Sequence, residues 1–263
     1  MRIKKSLYII TFAVTIFGLF TACKKDSPFP TNPLPNGDVH LHLHSIIDTN
    51  ININIDSMYF LTSGRKISIS KAKLYISNIQ LVNTEGDTVN VPGTFLYDNF
   101  DSEFNLGELP SAKYNTINFN VGLGPKSNSI NPTSDSDILL FPSDMWFDVT
   151  PQPLGFTFLN FEGKIDTTTN ANGNLVDMKS FSYKIGTNSN LQSVKLSDLD
   201  FSVLPKWKYS TPFIINLVVD YSKIFEGVLL NNKSNLQINT VSDNTNSIAK
   251  QIRNNIPLIF SYK

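Results

Sequence analysis

Hydrophobic and polar residues alternate over short stretches along most of the chain. Residues 116–121 read Thr-Ile-Asn-Phe-Asn-Val, and residues 73–81 alternate over much of their length. Such alternation is typical of a β-strand with one buried and one solvated face. Together with the many β-branched and aromatic residues, it predicts strands at residues 38–46, 73–83, 115–122, 155–165, 181–186 and 212–221.

Turn residues separate these stretches, and helix signals are few. Short runs rich in Gly, Asn and Asp, such as those around Gly86 and Gly173, mark the turns. Isoleucines spaced four apart predict a short helix at residues 247–255, and residues 221–225 predict one helical turn. The spacing of the strands therefore predicts an all-β fold, an antiparallel β-sandwich (Ig-like or jelly-roll-like) with a few short helices. We expect a single domain over residues 37–263.

The N-terminus predicts export and lipidation. Three basic residues precede an uncharged apolar run at residues 7–20, which is the layout of a secretory signal peptide. This run is too short for a usual transmembrane helix. Cys23, the single cysteine, follows small residues as in a bacterial lipobox, although Phe20 replaces the usual leucine. We expect a lipoprotein signal peptide at residues 1–22 and a lipid on Cys23. An ordinary cleaved signal peptide and an uncleaved anchor are the alternatives.

A proline-rich tether follows at residues 23–36, and proline-rich linkers are extended and semi-rigid. It would hold the folded domain off a membrane, which predicts a lipid-anchored protein of the outer membrane or cell surface, with the periplasmic face as the alternative. The first 22 residues carry three basic and no acidic residues, which leaves 19 basic against 22 acidic residues in the mature chain. This balance gives no electrostatic reason to bind nucleic acid.

All three histidines of the chain, His40, His42 and His44, lie within five residues and alternate with valine and leucine. In a strand this spacing puts the imidazoles on one face and the apolar side chains on the other. Imidazoles at positions i and i+2, roughly 6–7 Å apart at the Cα atoms, can reach one metal ion. The pattern leaves two interpretations open: a metal site, or a solvated strand face with hydrogen-bonded histidines.

A series of short motifs follows the histidine segment. They are a Tyr-x-Ser-Asn-x-x-Leu run at 75–81, Phe-Leu-Tyr-Asp at 95–98, a strand at 114–124, Asp-Met-Trp-Phe at 144–147, a strand at 155–163 and Phe-Ser-Tyr-Lys-Ile-Gly at 181–186. Each motif is weak alone. In this order, over most of the chain from Gly37 onward, they resemble the MbnP-like family, the copper-binding lipoproteins named after a protein encoded beside methanobactin genes.

This resemblance implies a β-sandwich that binds copper through histidines near an oxidised tryptophan. In characterised relatives a dihaem peroxidase-like partner enzyme converts that tryptophan to kynurenine, and by position it corresponds to Trp146. His42 and His44 match the first-strand histidine region, and His40 is a third candidate by geometry. Imidazole is a suitable ligand for copper. For Trp146, packing in a core is the alternative to modification.

Two residues depart from the family pattern. Lys184 replaces the histidine of a Phe-x-x-His-x-Gly motif, and Asn239 stands where some members have histidine. A lysine ammonium repels a metal cation. The first strand must therefore supply nearly all the imidazole of a metal site, or the site is lost.

Other chemistry finds little support. The sequence has no Gly-x-Ser-x-Gly elbow, no His-Glu-x-x-His and no P-loop. Asp98, Asp101 and Glu103 lack the spacing of an EF-hand, which favours a solvated loop over a Ca²⁺ site.

The leading hypothesis is an envelope-anchored, non-catalytic lipoprotein that binds copper through His42, His44 and His40, in metal capture or handling. The alternative is a surface-tethered β-sandwich that binds glycan or protein and has lost the family's metal site.

Overall fold

The strands and helices are taken from a computed structural model, which describes residues 35–48, 51–98, 100–130, 142–147, 155–208 and 211–263. Leu34–Lys263 is one of two units of the chain; the other, Met1–Pro33, lies outside the described residues. So do the predicted signal peptide, Cys23 and most of the predicted tether. Within the described ranges, no helix combines the length and the apolar character needed to cross a membrane.

Short strands dominate the described part of the chain. They are β1 (Gly37–Ile47), β2 (Ile51–Asn52), β3 (Met58–Phe60), β4 (Lys66–Asn83), β5 (Thr88–Tyr97), β6 (Asp101–Leu109), β7 (Lys113–Val121), β8 (Thr157–Asp166), β9 (Met178–Gly186), β10 (Gln192–Leu196), β11 (Phe201–Ser202), β12 (Phe213–Asp220), β13 (Gln237–Ile238) and β14 (Phe260–Tyr262). The α-helices are α1 (Pro125–Asn128) and α2 (Ser247–Asn255). Turns of 3₁₀-helix lie at Ser143–Met145, Leu175–Asp177, Asn188–Asn190, Tyr221–Phe225, Lys233–Leu236, Asp243–Thr245 and Ile256–Ile259.

All six strands predicted from the pattern are present, as β1, β4, β7, β8, β9 and β12. The predicted helix is α2, whose first turn is capped by the Asn246 side chain accepting a hydrogen bond from Ala249 N. The predicted helical turn is a 3₁₀ turn. The all-β sandwich is therefore confirmed.

The strands form two mixed sheets. The five-stranded sheet has the order β14-β12-β1-β2, with β6 also pairing with β1. The nine-stranded sheet has the order β10-β7-β4-β8-β9-β13, with β11 beside β7 and with β3 and β5 beside β4. Most pairs are antiparallel, as expected, but β1 pairs with β12, and β9 with β13, in parallel.

One hydrophobic core joins the two sheets. The five-stranded sheet contributes Leu41 and Leu217, and the nine-stranded sheet contributes Leu74 and Phe161, each at most 1% exposed. A side chain of this kind stabilises the fold by about 1.5–3 kcal/mol when it is fully buried. The inner face of β1 is thus fixed by packing, which in turn fixes the side chains that point outward from it.

Candidate functional site

The three histidines lie together on the outer face of the five-stranded sheet. Burial alternates along β1, with the valine and leucines fully buried and the histidines partly exposed, as the pattern predicts. The side chains of His40, His42 and His44 are 20%, 26% and 23% exposed. Solvent can therefore reach the imidazoles while the strand beneath them stays in the core.

Two carboxylates on β6 contact these imidazoles. The antiparallel register sets Asp101 opposite His44 and Glu103 opposite His42. Asp101 lies between two rings, with Oδ1 2.5 Å from His42 Nε2 and Oδ2 3.2 Å from His44 Nδ1. Glu103 Oε1 lies 2.5 Å from His40 Nδ1. The interpretation of Asp101 and Glu103 as part of a solvated loop was wrong, because both belong to a strand that pairs with β1.

The remaining nitrogens of two rings face asparagine oxygens. His42 Nδ1 lies 3.0 Å from Asn216 Oδ1, and His44 Nε2 lies 2.9 Å from Asn52 Oδ1. Asn216 directs its Nδ2 toward Ile214 O, at 3.4 Å, which is consistent with the amide oxygen facing the histidine. Each ring therefore stands between two oxygen acceptors. A neutral imidazole has only one N–H, so one of its nitrogens then faces an oxygen with a lone pair.

Asp101 is the electrostatic centre of this arrangement. The hydrogen bond from His42 lowers the pKa of Asp101, partial burial raises it, and the hydrogen bond from His44 lowers it again. The net pKa lies below the ordinary value, so the side chain is a carboxylate at neutral pH. The ionised form is the one that can bind a metal.

The residues fit copper in their chemistry. Imidazole nitrogen and carboxylate oxygen are ligands that copper accepts. His42 and His44 also line an open cavity of ≈ 340 Å³, which gives access from solvent and which Lys263 lines as well. In the described ranges, no group of three or more His, Cys, Asp or Glu side chains could hold a metal ion as the side chains stand. The side chains that could serve as ligands are instead hydrogen-bonded to one another.

Trp146 lies on the other side of the molecule. It follows the 3₁₀ turn Ser143–Met145 and packs with Tyr75, Phe156 and Phe158 in a second, smaller hydrophobic cluster. Tyr75 stands between two residues of β4 that face the main core, so this cluster covers the outer face of the nine-stranded sheet. The structure therefore does not bring Trp146 together with the histidines. Its indole Nε1 is buried and has no hydrogen-bond partner among the described residues.

The two departures from the family pattern lie on the same face as Trp146. Lys184 is directly opposite Asn160, whose side-chain amide donates to Asp144 O at 2.8 Å. Asn239, which follows β13, accepts a hydrogen bond at 2.6 Å from Ser182 Oγ on the neighbouring strand β9. These positions and the tryptophan thus belong to one surface, which the sequence alone does not reveal.

Lysines and carboxylates form ion pairs beside Trp146. Asp144 lies 3.0 Å from Lys73 Nζ and 3.4 Å from Lys71 Nζ, and Lys71 also lies 3.5 Å from Glu162. With Lys184, this surface carries three lysines and two carboxylates. It has no imidazole to offer a metal, since all histidines of the chain are on β1.

Fold and site define a class of protein, an all-β sandwich that presents imidazole and carboxylate side chains on one outer sheet face. The sequence model of the MbnP family matches residues 36–247, and the chain therefore belongs to the MbnP family. A solved structure, MbnP from Methylosinus trichosporium, is similar with a TM-score of 0.53 and 15% identity, over 87% of this chain and 99% of that one. At this identity the likeness shows the fold alone. A search of curated protein sequences gave no match. Family membership suggests a copper-associated, methanobactin-related protein.

Proposed function

We propose that this protein is an envelope-anchored, non-catalytic lipoprotein that binds copper through the histidines of β1, in metal capture or handling. One observation carries the proposal: His42 and His44 meet at the two oxygens of a single carboxylate, Asp101, on a face open to solvent. Membership of the MbnP family supports copper as the metal.

The chemistry follows from the ligands. Copper binds the lone pair of a neutral imidazole, so binding displaces protons and strengthens as the pH rises. His40 lies two residues before His42 on the same face of β1, where it is hydrogen-bonded to Glu103. It can add a third imidazole if the copper lies toward that end of β1.

The experiment compares copper content in three proteins purified from copper-replete cells. We expect the wild type to retain copper after dialysis and the His42→Ala, His44→Ala double variant to lose it. Ile214→Ala is the matched control, because Ile214 lies on the neighbouring strand opposite His40, is 37% exposed and has no donor atom. An unchanged copper content in the double variant would refute the proposal.

The lipid anchor is tested separately by the intact mass of the mature protein. The proposal requires loss of residues 1–22 and a mass gain that maps to Cys23. Cys23→Ser should abolish the gain and release the protein from the membrane fraction. An unmodified Cys23 in the mature wild type would remove the anchor from the proposal and leave copper binding to be judged by its own test.

A second candidate, a sandwich that binds glycan or protein, has one favourable observation. An open groove of ≈ 630 Å³ is lined by polar residues such as Glu162 and Lys164 and by apolar ones such as Leu175 and Phe181. If the protein still binds to a glycan array after a strong chelator has removed its copper, this candidate is favoured over the first.

A further inference from the structure

The last residues of the predicted tether are held against the loop that follows β11. Lys206 N donates a hydrogen bond to Asn36 O at 3.0 Å. At Gly37, where β1 begins, an added Cβ atom would lie only 2.2 Å from Leu204 O, so this close approach of two backbones requires glycine. The loop is therefore fixed at the point where the predicted tether enters the folded domain.

This loop, residues 204–208, carries an exposed aromatic side chain and is called the Trp207 loop below. Trp207 is 75% exposed, more than any other tryptophan or phenylalanine among the described residues, and Leu204 is 39% exposed. Lys206 and Lys208 flank Trp207 in sequence and are exposed as well. An indole is amphipathic, with a large apolar ring and one N–H donor, and tryptophan is enriched where an apolar phase meets water. The loop thus combines the residue types of a membrane interface.

The lipid anchor of the proposed function would bring this loop close to a bilayer. Cys23 precedes Pro35, the first described residue, by twelve residues. A chain of that length spans at most ~40 Å when it is fully extended. The end of the domain at which the tether enters is therefore the end that the anchor holds nearest to the lipid.

Charges around the Trp207 loop are balanced rather than strongly positive. Lys206 Nζ lies 3.0 Å from Glu108, and Lys113 Nζ, at the start of β7, lies 2.9 Å from Asp200. Exposed ion pairs of this kind are weak, so a lipid phosphate can replace Glu108 beside Lys206. We therefore expect the contact to depend mainly on the indole of Trp207 and to form on neutral as well as anionic lipid.

We infer that the Trp207 loop lies on the bilayer surface, with the indole at the level of the headgroups and Lys206 and Lys208 beside the lipid phosphates. This inference rests on the lipid anchor of the proposed function and goes beyond it, since it names the face of the domain that the membrane covers. β1 runs away from this face, and His42 lies five residues beyond Gly37, or ~17 Å along the strand. The imidazoles therefore stay open to solvent while the domain is docked.

The test uses the full-length lipid-anchored protein, purified from membranes and placed in phosphatidylcholine vesicles whose acyl chains carry bromine, a quencher of nearby tryptophan emission. The chain has two tryptophans, so Trp146→Phe leaves the emission of Trp207 alone and Trp207→Phe leaves that of Trp146 alone. We expect bromine to reduce the emission of Trp207 by about twofold or more, because an indole at the headgroups borders the acyl chains. Should Trp146→Phe fail to fold, the difference between wild-type and Trp207→Phe emission gives the same quantity.

Phe60→Trp in the Trp207→Phe protein is the matched control for an exposed aromatic side chain. Phe60 is 58% exposed and pairs with Lys66, the first residue of β4. The Trp207 loop follows β11, which pairs with β7 at Tyr114, and Tyr114 in turn pairs with Asn83, the last residue of β4. The two positions therefore belong to opposite ends of β4, and a tryptophan at residue 60 should not be quenched.

Sedimentation with the vesicles and the mass of Cys23 separate docking from anchoring. A protein that sediments through a lipidated Cys23 without quenching of Trp207, or with equal quenching at residue 60, overturns this inference and leaves the anchor in place. Emission of Trp207 that ignores the bilayer and shifts with soluble polysaccharide fragments would assign the loop to sugar stacking and also overturn it. An unmodified Cys23 on a protein that stays in solution refutes the anchor, and this inference with it.

Discussion

Leu41→Ala tests whether the histidine strand is held in place by its inner face. Leu41 is 0% exposed and lies between the outward-facing His40 and His42. The substitution removes three carbon atoms, which is about 2.4 kcal/mol at ~0.8 kcal/mol for each methylene. The cavity left behind raises the typical cost to about 3–4 kcal/mol. For a domain of this size we expect the melting temperature to fall by roughly 6–15 °C.

The assay is urea unfolding followed by circular dichroism, with His40→Ala as the matched control on the opposite face of β1. Its ring is 20% exposed and contacts Glu103 rather than the core, so we expect a loss below about 1 kcal/mol. We expect the two variants to differ by at least ~2 kcal/mol in their free energy of unfolding. Equal losses would show that the histidine face, and not only the leucine face, holds β1 in the sheet.

Two further predictions concern the nine-stranded sheet and the segments that pack on its outer face. Asn244→Ala removes the partner of three backbone groups, including Gly186 N at 2.9 Å, and should lower the free energy of unfolding by about 3 kcal/mol in urea; a loss below ~1 kcal/mol would contradict this. Partial burial raises the pKa of Asp144, but the hydrogen bond and charge of Lys73 and the charge of Lys71 lower it more, so the folded pKa lies below the unfolded value. The stabilisation is therefore present above about pH 4 and lost as the pH falls through the folded pKa. Asp144→Asn should cost up to about 1 kcal/mol in urea unfolding at pH 7, and the cost should shrink as the pH is lowered below about 4. A cost that stays the same as the pH is lowered below about 4 would contradict it.

The first strand could be predicted well because its signal is local. Alternation of leucine and histidine defines both faces of β1 without reference to any other part of the chain. The same holds for α2, where the isoleucine spacing and the capping Asn246 are neighbours in sequence. Local patterns of this kind predict where an element lies and which side is buried.

The partners of the histidines could not be predicted, because they are distant in sequence. Asp101 lies 59 residues from His42, and Asn216 lies 174 residues from it. Only the pairing of β1 with both β6 and β12 brings them together. Asp101 and Glu103 are two residues apart, so in a strand they lie on the same face. This spacing is the one local signal that could have suggested a strand pairing with the histidine strand.

The separation of Trp146 from the histidines changes what the family resemblance can mean for this chain. Both sheets and the core, including Leu41 and Leu74, lie between the two outer faces, so no single copper ion can contact Trp146 and the histidines together. On the tryptophan side, Lys184 stands where the family pattern has histidine, so that surface has no imidazole to offer a metal. A partner enzyme that oxidised Trp146 would thus act on a face distinct from the proposed copper site. The tryptophan and the histidines, which the resemblance places at one copper site, therefore lie on separate faces of this structure.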